Sequence, residues 1–258
     1  MLPTPAPRRD HLLNVNSLVM RYATGKTVLE DVTMSVAAGE FVTILGSNGC
    51  GKSTLLRCIS RIQNPTSGEV RVDGHNLAHL TGRPLQHARR SVAMIFQQSN
   101  LVKRRSVLAN VATGALGHHP TLQTSLGMLP REELDLAREY LAQVGLVHLA
   151  DQRAGTLSGG QAQRVAISRA LAQRPKVLLA DEPIASLDPQ AAEEIMALLR
   201  KLAREDGLAV LCVLHQPELA ARYSDRMVGI HKGKIAFDTR PAEVSNDQVA
   251  SLYASAAA

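Results

Sequence analysis

The chain has 258 residues, 45% hydrophobic and 20% charged, with 29 Lys and Arg against 23 Asp and Glu for a formal net charge of +6. That balance suits one large domain or two intimate subdomains of an ordinary globule. The absence of tryptophan and a mere 3% of aromatics leave little to stack on nucleic acid, and the basic clusters Arg89-Arg90 and Lys103-Arg104-Arg105 are too short for a nucleic-acid arm. The three cysteines, Cys50, Cys58 and Cys212, form no C-x-x-C pair, which argues against a disulfide framework or zinc site and suits a reducing compartment.

In chain order, residues 1–10 are Pro-rich, lack the apolar core of a signal peptide and read as a disordered lead. Residues 11–45 alternate apolar and polar (Leu13, Val15, Leu18, Met20, then Val28, Val32, Met34, Val36), predicting antiparallel strands with turns at Thr24-Gly25 and Ala38-Gly39. The apolar run 41–45 predicts a buried strand, and 53–59 a helix. Between them lie Gly46, Ser47, Asn48, Gly49, Cys50, Gly51, Lys52, Ser53 and Thr54, a G-x-x-x-x-G-K-S loop. Strand, glycine loop and helix N-terminus make a phosphate cradle: the glycines let amides turn inward, Lys52 reaches the β- and γ-phosphates, and the Ser53 hydroxyl suits Mg²⁺. Residues 68–74 read as a strand closed by an Asp-Gly turn, and 91–96 as a short buried strand. From 98 to 172 the pattern is helical, with Pro130, Glu132 and Glu133 opening one helix. Strands return at 176–180 and 208–214, separated by a helix at 189–205 that places Ile195, Leu198, Leu199 and Leu202 on one face. Residues 227–230 and 234–237 read as a hairpin, and the Ala-rich tail 242–258 as weakly helical. The longest clear apolar run, 208–214, is far short of the ~18 residues of a membrane span. The layout is an α/β nucleotide-binding core interrupted by a helical insert.

Further segments converge on one machine. Leu157-Ser-Gly-Gly-Gln161 puts two glycines at the mouth of a helix. Val177-Leu-Leu-Ala-Asp-Glu182 is an apolar strand ending in two carboxylates, with Ser186-Leu-Asp188 close behind. His215 follows the next strand, and Gln97 follows the strand at 91–96. Taken singly, such an acid is more often a capping residue and such a histidine a packed one; order and spacing reverse those odds. In these motifs the chain resembles the ATP-binding subunit of ABC transporters over residues 11–240. The resemblance implies a P-loop NTPase core of ABC type with an N-terminal antiparallel β subdomain (11–97 and 173–240 together) and a helical subdomain at about 98–172, then a tail at 241–258.

It also implies roles. ATP and Mg²⁺ are the expected ligands. The loop 46–54 would bind ATP with Tyr22 under the adenine, and Asp181 would hold Mg²⁺ beside Ser53. Glu182 would be the general base, His215 would contact the γ-phosphate, and Gln97 would sense the metal and the water. Ser158, Gly159, Gly160, Gln161 and Asp188 would serve the ATP held by a second copy of the chain. The implied partners are that second copy, two transmembrane permease subunits meeting the region 98–118 and, indirectly, an extracytoplasmic solute-binding protein. No nucleic acid is implied. The expected location is peripheral, on the cytoplasmic face of the inner membrane, where Lys103-Arg104-Arg105 faces the membrane side or simply solvent. Asp181-Glu-Pro-Ile-Ala-Ser-Leu-Asp-Pro189, Val213-Leu-His-Gln216 and Phe96-Gln-Gln-Ser-Asn-Leu101 are most similar to the ATP-binding subunits of phosphonate importers. Importers of phosphite or polar amino acids, and a soluble ATPase serving a phosphonate-breakdown complex, stand as alternatives. Ala162 and Cys50 depart from the commoner Gln and Ser without removing a donor. Cys50 reads either as a thiol activated by a helix N-terminus or as a tolerated small residue, and His118-His119, without metal-ligand company, is given no site.

Overall fold

The computed structural model describes residues 11–119 and 129–254; the expected disordered lead and the last four residues of the tail lie outside them. The alternating N-terminal pattern folds as β1 (His11–Arg21) and β2 (Thr27–Ala37), antiparallel, with Val15 opposite Met34 and Leu13 opposite Val36. The unbroken apolar run is β3 (Phe41–Leu45), buried at every residue, and it feeds through the glycine loop into α1 (Lys52–Ile59). β4 (Ser67–Val72) pairs antiparallel with β1 and turns through Asp73-Gly74 into β5 (His75–Asn76), giving a four-stranded sheet in the order β2-β1-β4-β5.

The second sheet has six strands. β6 (Val92–Ile95), β7 (Val177–Asp181), β8 (Ala209–Val213) and β9 (Arg226–His231) all run parallel with β3, and β10 (Lys234–Thr239) closes the edge antiparallel to β9, in the order β10-β9-β3-β8-β7-β6. Strands buried on both faces carry no polar alternation, which is why β3, β7 and β8 read as continuous apolar runs. The expected hairpin at 227–237 forms, and β9 does double duty as the parallel partner of β3.

Helices α2 (Gly82–Ala88), α3 (Val107–Ala112), α4 (Arg131–Gln143), α5 (Gly159–Leu171), α6 (Pro189–Asp206), α7 (Pro217–Tyr223) and α8 (Asn246–Tyr253) complete the described α-helices. α3, α4 and α5 lie between β6 and β7 in the chain and share an apolar cluster that includes Val111, Leu141 and Val165. α6 starts on Asp188, whose Oδ1 accepts from the Ala191 amide at 2.9 Å, with Pro189 at its first position, and stops at Gly207 with φ 68°. Its buried face carries Ile195, Leu199 and Leu202, while Leu198 is half-buried toward the insert. The two sheets close over a cluster that includes Val15, Val36, Leu56 and Val228; Phe41, Ile195 and Leu252 belong to a second, on the other face. Half-buried Arg226 ties the layers, bonding Glu40, both carboxylate oxygens of Asp238 and the Ser35 carbonyl.

Candidate functional site: a nucleotide cradle and a second groove

The glycine loop owes its shape to contacts that exclude side chains. Gly46 has φ 153°, and a Cβ there would lie 2.3 Å from the Ile230 carbonyl oxygen and 2.7 Å from Cys50 Sγ. Gly51, at φ 115°, caps α1 with no side-chain hydrogen bond, and a Cβ would meet Leu29 at 2.7 Å. The first helical bond of α1 runs from the Leu55 amide to Gly51 O at 2.8 Å. The amides of Lys52, Ser53 and Thr54 therefore lie at the open N-terminus, a region of positive potential that binds anions. Lys52 is buried, its Nζ donating to Gly46 O at 2.8 Å and Ser47 O at 2.9 Å. Cys50 is also buried, and burial pushes its thiol above its ordinary value although Lys52 draws it down; of the two readings of this residue, the structure favours the tolerated small one. Tyr22 sits in a turn with its ring partly exposed; hydrogen bonding to Thr54 and then Gln63 draws its hydroxyl below the ordinary value, so the ring stands beside the cradle.

Carboxylates arrive from β7. Asp181, its last residue, is buried and accepts from Ser53 Oγ at 2.8 Å. Burial raises its pKa, opposed by the Ser53 hydrogen bond, and the neighbouring Glu182 pushes it further up. A buried anion beside a hydroxyl offers two hard oxygen donors. That donor set fits Mg²⁺, which keeps most of its shell from water and phosphate rather than from a protein cage; among the described residues no cluster of three or more His, Cys, Asp or Glu is placed to hold a metal alone. Glu182 has φ 51°, a left-handed conformation that costs a non-glycine residue about 1–2 kcal/mol and persists only where its surroundings fix it. Its Oε1 accepts from His215 Nε2 at 2.5 Å. The strand order explains the convergence: β7, β8 and β3 are neighbours in parallel, so the residues after their C-terminal ends share one edge of the sheet.

Gln97 is exposed in the loop after β6, and among the described residues no hydrogen bond joins its side chain to that edge. Its loop is instead gripped by α5, through residues that no sequence motif singled out. Arg169 Nη2 donates to Ser99 O at 2.7 Å and Nη1 to Asn100 O at 2.8 Å, while buried Gln163 Nε2 donates to Phe96 O at 3.4 Å. Backbone carbonyls as partners leave no trace in the sequence.

The remaining motif residues gather elsewhere. Ser158, Gly159, Gly160, Gln161 and Asp188 line one groove of about 390 Å³ with Arg164, Ser186 and Leu187, and no residue of the glycine loop reaches it. Ser158 and Gln161 form a reciprocal cap on α5, with Oγ accepting from the Gln161 amide at 3.3 Å and Gln161 Oε1 accepting from the Ser158 amide at 3.0 Å. The two glycines have a packing reason too: a Cβ at Gly159 would come within 3.3 Å of Leu187 and one at Gly160 within 3.1 Å of Ala191. A larger groove of about 1130 Å³ lies between β6, α2 and the insert; Arg83, Arg89, Arg90 and Arg169 line it without a single acid. His118 and His119 are engaged structurally, with Gln173 O and Glu133 respectively.

Fold and loop together are those of a P-loop nucleotide-binding protein. The description "ABC transporter" belongs to the family whose pattern matches residues 29–185. The chain is 47% identical over 241 residues to the "Phosphonates import ATP-binding protein PhnC" of Thiobacillus denitrificans, covering 93% of this chain and 92% of that one. It is 46% identical over 251 residues to the "Phosphite import ATP-binding protein PxtA" of Stutzerimonas stutzeri, covering 97% and 90%. Among solved structures, cbiO1 of Clostridium perfringens, part of the ABC transporter complex cbiONQ, superposes with a TM-score of 0.81 at 32% identity over 93% of both chains. A dimeric ATP-binding cassette in a post-hydrolysis state, bound to ADP and Pi, gives a TM-score of 0.77 at 34% identity over 89% of this chain and 98% of that one. The chain belongs to the ABC transporter family, as an ATP-binding cassette.

Proposed function

We propose that this chain hydrolyses ATP to drive import of phosphonates or closely related phosphorus oxyanions. The observation that carries the hydrolytic reading is the convergence of Ser53, Asp181, Glu182 and His215 on the edge of the sheet that holds the glycine loop. The loop amides and Lys52 cradle the phosphates, and Tyr22 packs against the adenine. Mg²⁺, held by Ser53 and Asp181, would neutralise charge on the transferring phosphoryl group. Glu182 orients the attacking water and takes up its proton, and the His215 contact fixes that carboxylate in its left-handed turn. Gln97 reports on the site through the loop that α5 holds. Catalysis of this kind is mostly positioning and charge stabilisation.

Ser158, Gly159, Gly160, Gln161 and Asp188 serve the nucleotide of a second copy, since their groove contains nothing of the chain's own glycine loop; a head-to-tail, two-fold dimer follows. The acid-free groove beside β6 receives the permease, and the exposed Lys103, Arg104 and Arg105 add positive charge to the surface of the insert. No helix among the described residues is long and apolar enough to cross a membrane, which suits a peripheral subunit on the cytoplasmic face of the inner membrane, fed by an extracytoplasmic binding protein.

The cargo reading rests on relatives named for phosphonate and phosphite import at nearly equal identity. The test is ATPase activity of the chain co-expressed with its permease subunits in vesicles, with binding protein loaded with 2-aminoethylphosphonate or with phosphite. Stimulation by the phosphonate is expected. Stimulation by phosphite alone keeps the machine and changes the cargo. Activity indifferent to every loaded binding protein, with no permease co-purifying, refutes import.

A further inference from the structure

The C-terminal helix brings a polar atom to an apolar place. α8 is started by a reciprocal cap between Ser245 and Gln248, at 3.1 and 2.9 Å. Leu252 is fully buried, and Val244, Leu252 and Tyr253 join the apolar cluster of Phe41, Leu45 and Met227. The helix packs on β9, the strand whose Ile230 carbonyl sits where a Gly46 side chain would be. The Tyr253 hydroxyl is sealed from solvent and has no hydrogen-bond partner of regular geometry. Burial pushes it above its ordinary value, the backbone amide of Gly46 draws it back, and Cys50 and Glu218 add to the rise.

A dry, unsatisfied phenol is unfavourable. Phenylalanine would fill the same space without that cost, so packing explains the ring and leaves the oxygen unexplained. Its neighbour supplies a reason. Gly46 is the first residue of the phosphate loop, and its carbonyl already accepts from Lys52 Nζ at 2.8 Å. Its amide belongs to the preceding peptide, whose Leu45 lies in the apolar cluster that Tyr253 packs against. Gly46 is thus addressed from one peptide by the phosphate-binding lysine and from the other by the C-terminal helix.

We propose that Tyr253 is a positioning residue for the phosphate loop: its hydroxyl takes the Gly46 N–H as a regular hydrogen bond when nucleotide loads the loop, so that α8 tunes ATP affinity. The inference rests on the nucleotide reading above and adds to it a device in the tail. The test uses the full chain and the Tyr253→Phe variant, with ATP affinity by calorimetric titration, kcat and KM by steady-state ATPase, and Tm. One hydrogen bond lost in the bound state predicts an ATP Kd and KM raised roughly 2- to 10-fold. kcat and Tm stay level, because nothing regular is lost in the free protein. Amide NMR adds a direct readout: a downfield shift of the Gly46 proton on adding ATP, absent in Tyr253→Phe. Equal Kd in parent and variant overturns the proposal, and so does a shifted kcat at constant KM. Leu252→Ala, which loosens the helix but keeps the hydroxyl, separates the routes. If it weakens ATP binding while Tyr253→Phe does not, the helix acts through packing and the role of the oxygen is refuted. A parent chain that binds no ATP, or a Lys52→Ala variant that binds it as well as the parent, overturns the nucleotide reading itself.

Discussion

Arg169 is where the structure makes a claim that no motif made. Its two guanidinium hydrogen bonds, 2.7 and 2.8 Å to the Ser99 and Asn100 carbonyls, join the Gln97 loop to α5. Arg169→Leu keeps an aliphatic stem and removes both donors. A hydrogen bond from a charged donor is worth about 1.5–3 kcal/mol. The groove that Arg169 lines is open, so water reaches the released carbonyls, and the low end applies: about 1–3 kcal/mol for the pair. That raises the open population of the loop about 5- to 150-fold. The assay is amide hydrogen exchange on the isolated subunit, read over peptides spanning 97–101. Exchange there should accelerate by that factor while peptides of α1 and β7 remain unchanged. ATP affinity should hold, since the groove that Arg169 lines has no residue of the glycine loop in its wall, and permease-stimulated turnover should fall. Unchanged exchange over 97–101 in a folded variant would refute the reasoning, for the loop would then be ordered by something other than α5.

Glu182→Gln keeps the shape of the His215 contact but cannot take up a proton; turnover should drop about 10²–10⁴-fold with ATP binding retained, and size exclusion with ATP should show a trapped dimer, whereas normal turnover removes Glu182 from its role. Arg226→Met leaves Glu40 and Asp238 without their shared cation; both are only partly shielded, so about 2–4 kcal/mol is expected, or a Tm lower by roughly 5–12 °C for a chain of this size. A Tm within a degree of the parent by calorimetry would mean that the cluster binds the layers together no better than apolar packing does. All three cysteines are buried and burial raises each thiol, so the native chain should resist a thiol-specific disulfide reagent over minutes and react fully once denatured; rapid native labelling at Cys50 would contradict its burial.

The site was legible in the sequence wherever it is local. A five-residue apolar strand, glycines at positions that exclude a Cβ, and a helix start describe the cradle within 46–54. Asp181 and Glu182 declare themselves at the end of a strand too apolar to lie anywhere but the sheet centre. What the sequence hides is pairing between distant segments. Nothing in 226–231 announces that β9 lies against β3, because a short apolar run suits a hairpin and a parallel core strand alike. α2 buries only Ala88 of its seven residues, and α7 only Ala220 of its seven, so neither carries an apolar period to read. Arg169 and Gln163 bond backbone groups far along the chain, and a backbone group has no letter. Gly159 and Gly160 stand at the mouth of a helix, where two glycines suit an anion, yet their Cβ directions point at Leu187 and Ala191, so the packing against the segment that opens α6 also favours small residues there.

The same groove sets the energy available to the proposed pair of chains. The cap on α5 consumes the Ser158 and Gln161 amides in its reciprocal pair, and leaves the Gly159 and Gly160 amides and the Ser158 hydroxyl hydrogen to meet an anion in the groove. Three donors toward a γ-phosphate, at about 1–1.5 kcal/mol each, give roughly 3–4.5 kcal/mol per site. Two-fold symmetry doubles this to about 6–9 kcal/mol. Moving an open–closed equilibrium from 1:99 to 99:1 takes about 5.5 kcal/mol. In the proposed head-to-tail dimer a pair of ATP molecules would therefore suffice for closure, one ATP would not, and ADP, which lacks the γ-phosphate, would supply none of it. On these numbers the cycle is a switch only because both sites fill together, so ATP-driven dimerisation of the Glu182→Gln variant should rise with a Hill coefficient well above one; a coefficient of one would place the closing energy in a single site and undo the symmetric account.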